Sequence, residues 1–344
     1  MTETVGYDPV RWGVLSTAKI GREKVIPAMQ RSRLSRVTAI ASRDPERARQ
    51  IAQDLDIPKA YGSYQELIDD PRIEAIYNPL PNHLHVPWSA RAAEAGKHVL
   101  CEKPLALTAP EAKTLVDVRD RTGVLIEEAF MVRHHPQWRR VRDLVREGRI
   151  GRLRATQGVF SYTNLDPANI RNQADIGGGG IYDIGCYPIT MSRFIFEAEP
   201  SRVIALIERD PEMNIDRLAS AILEYDAGQA SFVCSTQLVP YQRMQVFGSA
   251  GRIEVEIPFN APPDRPCRIL VDDGSSAPST SSAITETFEV VDQYAAQGDD
   301  FSLAIRRGEP LEFPLENAVR NMSILDALFR SVESSRWENV TPAA

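Results

Sequence analysis

Three short segments combine residue types that proton and hydride chemistry can use. Asn78-Pro79-Leu80-Pro81-Asn82-His83-Leu84-His85 follows one apolar run, and Glu102-Lys103-Pro104 follows another. The third runs from Gly177-Gly178-Gly179-Gly180 through Ile181-Tyr182-Asp183-Ile184-Gly185-Cys186-Tyr187-Pro188. Interconverting a carbinol and a carbonyl needs a hydride carrier, a group that exchanges the hydroxyl proton, and donors that fix the oxygen. A Lys at a strand end can be such a donor, and Pro104 keeps Lys103 off the helical backbone. Asp183 and Tyr187 are four residues apart, so a continuous helix would put them on one face. Each residue also has a plainer reading: a solvated Lys, a carboxylate at a helix start, a core aromatic.

The hydride carrier has its own candidate segment. Ser16-Thr17-Ala18-Lys19-Ile20-Gly21 stands where an apolar strand runs into a helix. A dinucleotide fingerprint G-x-G-x-x-G would lie there, with Ser16 and Ala18 replacing its first two glycines and Gly21 keeping the third. Small residues still let the backbone approach a pyrophosphate at a helix N-terminus. The segment reads equally well as a simple strand-to-helix turn. The end of the second strand says more. NAD enzymes place an acidic residue there for the ribose 2′-OH, whereas this chain offers Ser42-Arg43, with Arg47 one helical turn on. A hydroxyl and two guanidinium groups suit a 2′-phosphate. Asp44 is better used as a helix N-cap, with Pro45 at the first helical position. NADP is therefore expected in preference to NAD, the alternative being that both arginines are solvated surface charges.

The elements that must position these residues change character midway. Strands at 10–16, 36–41, 73–77, 98–101 and 124–127 alternate with helices at 20–30, 45–55, 64–69, 85–95 and 109–121, which implies a parallel sheet with ligands at its carboxyl ends. After a helix at 136–147 and a strand at 152–162, a helix at 181–196 follows the glycine run. Short strands then crowd residues 201–256, which implies a mainly antiparallel sheet. The Pro/Ser-rich stretch 258–282 reads as an exposed excursion, and helices near 294–306 and 315–334 close the chain. The fold class is α/β: a dinucleotide-binding Rossmann domain over 1–128, then an α+β substrate and oligomerisation domain over 129–344 with an open sheet. The last helix is open to packing back on the first domain.

Together these segments resemble the Gfo/Idh/MocA family of NAD(P)-dependent sugar oxidoreductases, from Arg11 to about Pro200. The Glu-Lys-Pro tripeptide and the glycine run leading to Asp183 and Tyr187 are the most specific parts. Within the family the chain looks most like glucose–fructose oxidoreductases, NADP-dependent xylose dehydrogenases, 1,5-anhydrofructose reductases and dihydrodiol dehydrogenases. The resemblance implies Lys103 beside the nicotinamide and the reacting hydroxyl, Tyr187 as general acid/base, and Asp183 as a binder of substrate hydroxyls. Many members carry His where this chain has Tyr187. A free Tyr titrates near ~10, and a neighbouring Lys103 ammonium would favour its phenolate. The implied cofactor set is Ser16, Thr17, Ala18, Lys19, Ile20, Ser42, Arg43, Arg47, Asn78, Pro79, Leu80, Asn82, His83, Glu102, Lys103 and Arg171. Arg133 joins Lys103, Asp183 and Tyr187 on the substrate side. His85 reads as part of a helix start. Neither histidine has the carboxylate company of a metal site, so no metal is expected.

The implied reaction is hydride transfer between NADP and a monosaccharide or similar polyol. Alternatives are a trans-dihydrodiol dehydrogenase, a 1,5-anhydrofructose reductase, an aldose–aldose or glucose–fructose type enzyme that keeps its nucleotide, and a silent dinucleotide sensor. Retention of Lys103, Asp183 and Tyr187 together speaks against the sensor. By analogy with the family a homodimer or homotetramer through the second sheet is expected. The 344 residues carry 43% hydrophobic and 25% charged residues, an ordinary globular composition. A net charge of −7 without a basic block speaks against nucleic acid and anionic membranes as partners. No apolar run reaches the roughly 18 residues of a membrane span, and the N-terminus lacks signal-peptide character, so a cytoplasmic protein is expected. The four scattered cysteines, Cys101, Cys186, Cys234 and Cys267, read as small buried hydrophobes.

Overall fold

The computed structural model describes residues 6–275 and 283–341. The chain divides into two compact units, one of residues to Met131 together with Tyr294–Val319, the other of Val132–Gln293 with the residues from Arg320 on.

The first unit is built on six parallel strands: β1 (Val10–Leu15), β2 (Ser35–Ala41), β3 (Lys59–Tyr61), β4 (Ala75–Asn78), β5 (His98–Glu102) and β6 (Ile126–Ala129). Their order is β3-β2-β1-β4-β5-β6, with the strand order reversing between β1 and β4. Such a reversal opens a crevice at the carboxyl ends of the two strands. The helices α1 (Ile26–Gln30), α2 (Pro45–Asp54), α3 (Tyr64–Ile68), α4 (His85–Glu94) and α5 (Ala109–Thr122) connect the strands. α1 is entered through a π-helical turn, Gly21–Val25. Helix starts follow the expected capping chemistry: Asp44 accepts from the N–H groups of Glu46 and Arg47, and Thr108 from that of Glu111. Gly123 closes α5 at φ +70°, which suits a glycine at a helix end. Trp12, Val14, Ile40 and Tyr77 are buried in the core, with Phe301 from α8 (Gln293–Arg307) tilted against Trp12, ring centroids 5.4 Å apart.

The second unit begins with α6 (Pro136–Arg146), β7 (Leu153–Thr163) and α7 (Cys186–Phe196). Its sheet adds β8 (Arg202–Arg209), β9 (Asp216–Tyr225), β10 (Gly228–Ser235), β11 (Gln237–Gly248), β12 (Arg252–Val255), β13 (Cys267–Asp272), β14 (Ile284–Phe288) and, after α9 (Leu315–Ser334), β15 (Glu338–Asn339). The order is β14-β13-β12-β11-β7-β10-β9-β8-β15. All neighbours are antiparallel except β7 and β10. One face packs on α7, with Ala221 and Phe232 buried, while Leu206, Ile222 and Val239 are exposed. The sequence places a plain excursion at 258–282. Instead Phe259 is buried and β13 runs through the stretch with Cys267, Ile269 and Val271 inward. Residues 276–282 lie outside the described residues. The expected continuous helix at 181–196 is also corrected: Ile181–Gly185 is a π turn and α7 starts at Cys186. All four cysteines are buried free thiols. Among the described residues no helix is long and apolar enough to cross a membrane.

Candidate active site

In the first unit the residues singled out from sequence fall at the carboxyl ends of β1, β2, β4 and β5. Ser16 has φ +79°, the left-handed conformation that the first glycine of a fingerprint usually supplies. Its N–H donates to the Ala41 carbonyl at 2.9 Å, and its Oγ accepts from Ala18 N–H at 3.2 Å. Thr17 is buried, and Lys19 and Ile20 open the helix, Lys19 exposed and ion-paired with Glu23 at 3.9 Å. A Cβ on Gly21 would meet Tyr77 at 3.6 Å and Pro79 at 3.8 Å, an ordinary contact. Arg22, which the sequence reading passed over, donates its Nε to the Thr17 carbonyl at 3.0 Å and lies across this turn.

At the end of β2, Ser42 is buried and its Oγ accepts from Asp44 N–H at 3.1 Å. Asp44 Oδ1 in turn accepts from Glu46 N–H at 3.0 Å and Arg47 N–H at 3.1 Å, so this carboxylate caps α2. Arg43 and Arg47 are exposed. Arg43 stands beside the Tyr64 hydroxyl and lowers its pKa, though burial, the larger effect, raises it.

At β4 and β5 the side chains tie loops together. Asn78 is fully buried and donates to the His85 carbonyl and to Ser89 Oγ. Pro79 and Leu80 follow it, and Asn82 and His83 sit in a 3₁₀ turn, Asn82–Leu84. His83 Nδ1 is shielded from solvent and meets no hydrogen-bond partner among the described residues. Glu102 Oε1 accepts from the Tyr77 hydroxyl at 2.7 Å and its Oε2 from Lys103 N–H at 3.3 Å. Burial, aided by Glu102, pushes the Tyr77 hydroxyl well above its ordinary range. The Lys103–Pro104 peptide bond is cis. A dinucleotide fits this face. The left-handed Ser16 turn brings backbone close, and His83 Nδ1 is an orphan polar atom of the kind a bound polar group satisfies.

In the second unit Asp183 is the centre of a polar cluster. Its Oδ2 accepts from the Tyr162 hydroxyl at 2.5 Å, and its Oδ1 pairs with Arg171 Nε at 3.1 Å. Arg171 is held firmly charged, first by Asp183 and also by Tyr162 and Tyr187, all within electrostatic reach. Tyr187 is 6% exposed and packs edge-on against Phe160, with ring centroids 5.6 Å apart, and tilted against Phe259. Arg133 is buried in the short turn Met131–His134. Lys103 belongs to the first unit; Arg133, Arg171, Asp183 and Tyr187 belong to the second.

Asp216 is a residue that the sequence reading missed. It begins β9, is 2% exposed, and its Oδ2 accepts from Ile181 N–H at 2.5 Å. A Cβ on Gly179, whose φ is +117°, would fall 1.9 Å from Asp216 Oδ1. The glycine run is therefore where backbone closes over a buried carboxyl at the start of the Asp183 turn. Burial pushes Asp216 up to about 7, against the lowering effect of the backbone N–H bonds. Nothing in its sequence neighbourhood marks it, because its partner lies 35 residues away.

A parallel dinucleotide-type sheet and a second unit built on an open mixed sheet define a two-part oxidoreductase. Residues 10–130 match the family described as "Oxidoreductase family, NAD-binding Rossmann fold", and residues 138–254 match the "GFO/IDH/MocA C-terminal domain". An uncharacterized oxidoreductase of Rhizobium meliloti is 51% identical over 97% of this chain and 100% of its own. A D-xylose 1-dehydrogenase (NADP(+)) of Haloferax volcanii is 37% identical over 94% of this chain and 97% of its own. The crystal structure of a 3-ketoreductase from Actinomadura kijaniata, in complex with NADP and TDP-benzene, superposes with a TM-score of 0.87. It is 31% identical and the match covers 94% of this chain and 98% of that one. The chain belongs to the Gfo/Idh/MocA oxidoreductase family.

Proposed function

We propose that the chain transfers hydride between NADP and a CH–OH carbon of a monosaccharide or similar polyol. The single observation that carries the choice of NADP is the end of β2. Asp44 is engaged as the cap of α2, and two exposed arginines, Arg43 and Arg47, flank it. A guanidinium pairs with a 2′-phosphate by charge-assisted hydrogen bonds. The NADP-dependent xylose dehydrogenase and the NADP-bound ketoreductase among the relatives support the same reading.

When bound, the nicotinamide supplies the hydride acceptor or donor. In the oxidative direction Tyr187, as the phenolate that a neighbouring ammonium favours, takes the hydroxyl proton as the carbinol hydrogen leaves as hydride, and in reduction the phenol returns that proton. Lys103, beside the reacting oxygen, is the electrostatic partner of Tyr187 and the proton-relay donor. Asp183, paired with Arg171 and Tyr162, is a fixed acceptor for sugar hydroxyls. Arg133 is assigned to the substrate side. The cofactor set proposed is Ser16, Thr17, Ala18, Lys19, Ile20, Ser42, Arg43, Arg47, Asn78, Pro79, Leu80, Asn82, His83, Glu102, Lys103 and Arg171. The exposed apolar side chains Leu206, Ile222 and Val239 support a homo-oligomer formed through the second sheet, and a monomer by light scattering would refute it.

The test follows reduced-nicotinamide absorbance with NADP and NAD offered separately against aldoses and polyols. NADP reduction by an aldose is expected. A preference for NAD would overturn the reading of Arg43 and Arg47; silence with nucleotide retained after purification would favour the aldose–aldose mechanism, and silence with none retained a dinucleotide sensor. Tyr187→Phe is expected to lower kcat by about 100-fold or more while NADP affinity stays within about threefold.

A further inference from the structure

The Asn78–His85 and Glu102–Pro104 segments leave neighbouring parallel strands, β4 and β5. One buried side chain joins them. His85 opens α4 and is 1% exposed. Its Nδ1 stands 2.7 Å from the Pro104 carbonyl oxygen, and its Nε2 stands 2.6 Å from the Leu80 carbonyl oxygen. A helix start calls for acceptors that satisfy free N–H groups. The His85 ring instead meets two carbonyls, both from the loops on either side, so its place at the helix start does not explain its contacts.

The rest of the frame is complete. Asn78 Oδ1 accepts from Leu80 N–H at 3.3 Å, and its Nδ2 donates to the His85 carbonyl at 3.1 Å. On the other loop Leu105 N–H donates to Glu128 Oε1 at 2.8 Å, and Lys103 N–H to Glu102 Oε2 at 3.3 Å. The backbone is therefore anchored on both sides of Lys103. Burial, the larger influence, pushes His85 down to about 4, and the charges of Lys103 and His83 add to it. Both contacts are at hydrogen-bond distance from acceptors: an imidazolium donates an N–H to each carbonyl, whereas a neutral ring donates to one only.

We propose that His85 is a positioning residue for Lys103: it latches the Leu80 loop to the Pro104 loop so that both carry the site as one body. The proposal rests on the assignment of Lys103 to the reacting oxygen. A displacement of about 1 Å at a reacting group is enough to cost about 100-fold in rate.

Hydrogen–deuterium exchange on the full chain tests the latch without reference to turnover. The reporters are the amides of Leu80, Asn82, His83 and Leu84 in one loop, and of Lys103 and Leu105 in the other. His85→Leu is expected to speed exchange by about tenfold in both loops together, with β1 and β2 unchanged. Acceleration in one loop only, or in neither, overturns the proposal. His85→Gln keeps one donor and is expected to give a smaller acceleration in both loops; it carries the comparison if His85→Leu fails to fold. In turnover, kcat per bound nucleotide is expected to fall about 10- to 100-fold with sugar KM within about threefold. An unchanged kcat per bound nucleotide, with only fewer active sites, would reduce His85 to a structural residue. A wild-type chain that reduces neither nucleotide with any sugar and retains no nucleotide after purification refutes the assigned reaction, whereas the exchange result decides the latch.

Discussion

The Ser16–Gly21 turn and the Gly177–Gly180 run stand in opposite relation to glycine. The first is where a dinucleotide fold expects glycines, yet its left-handed position is occupied by Ser16 at φ +79°. Its one remaining glycine, Gly21, has room for a Cβ. The second is glycine-rich, and there the need is steric: Gly179 has φ +117° and no space beside Asp216. Glycine content alone thus misjudges both segments. What matters is the backbone conformation and the nearest atom across from it.

The sharpest break of this contrast is a pair of alanines. Gly179→Ala combines a conformation that L residues rarely adopt with a collision against a buried carboxyl. It is expected to cost roughly 3–5 kcal/mol, seen as a large fall in Tm and in active protein. Gly21→Ala, with ordinary contacts at 3.6 Å, is expected to stay within about 1 kcal/mol of wild type. Equal effects on Tm would mean that space beside Asp216 is not what the glycine run provides.

Asp216 gives the next largest effect, and its sign follows from linkage. Its folded pKa, about 7, lies above its ordinary value of 3.8, so between about pH 4 and pH 7 the folded state binds the extra proton. Asp216 therefore stabilises the fold relative to its higher-pH state below pH 4, and that contribution is lost as pH rises through about 7. The full difference is of order 4 kcal/mol. Asp216→Asn keeps an acceptor for Ile181 N–H and removes the titration. The Tm of the variant minus that of wild type is expected to rise between pH 5 and pH 8. A flat difference would show that the carboxyl does not titrate there.

Charge at the first turn is the third point of comparison, because Arg22 donates its Nε to the Thr17 carbonyl there. Arg22→Ala is expected to weaken NADPH and NADH alike, by about tenfold. Arg43→Ala is expected to weaken NADPH by a similar factor and leave NADH unchanged. Calorimetric titration of each variant with both nucleotides separates the two. Loss of NADH binding in Arg43→Ala would move that arginine away from the 2′-phosphate.

The sequence made the periodic parts readable. α2 was legible at its start because Asp44 and Pro45 are a cap and a first-turn residue together, and the long strand β7 and helix α9 because their patterns are extended. Short or context-made features were not. β3 is three residues, and β13 lies within a Pro/Ser-rich stretch whose composition says loop although alternate residues point inward. The π turns at Gly21–Val25 and Ile181–Gly185 leave no signature in apolar spacing. The site residues stood out where a motif carried them, as with Lys103 and Asp183. Asp216, Arg22 and the His85 latch act through contacts with distant or backbone atoms, so residue type alone could not reveal them.

Ser16→Gly should have the smallest effect, and it tests the comparison at its root. Glycine would relieve a left-handed conformation worth about 1–2 kcal/mol to an L residue. Against that stand the extra chain entropy of glycine, about 0.5–1 kcal/mol, and the Oγ bond to Ala18 N–H, about 0.5–1.5 kcal/mol. These nearly cancel, so Tm is expected to move little and NADPH affinity to stay within about threefold. If affinity instead fell tenfold or more at unchanged Tm, the Ser16 hydroxyl would itself be a contact to the nucleotide. The turn would then work by a side chain, whereas a glycine fingerprint works by backbone alone.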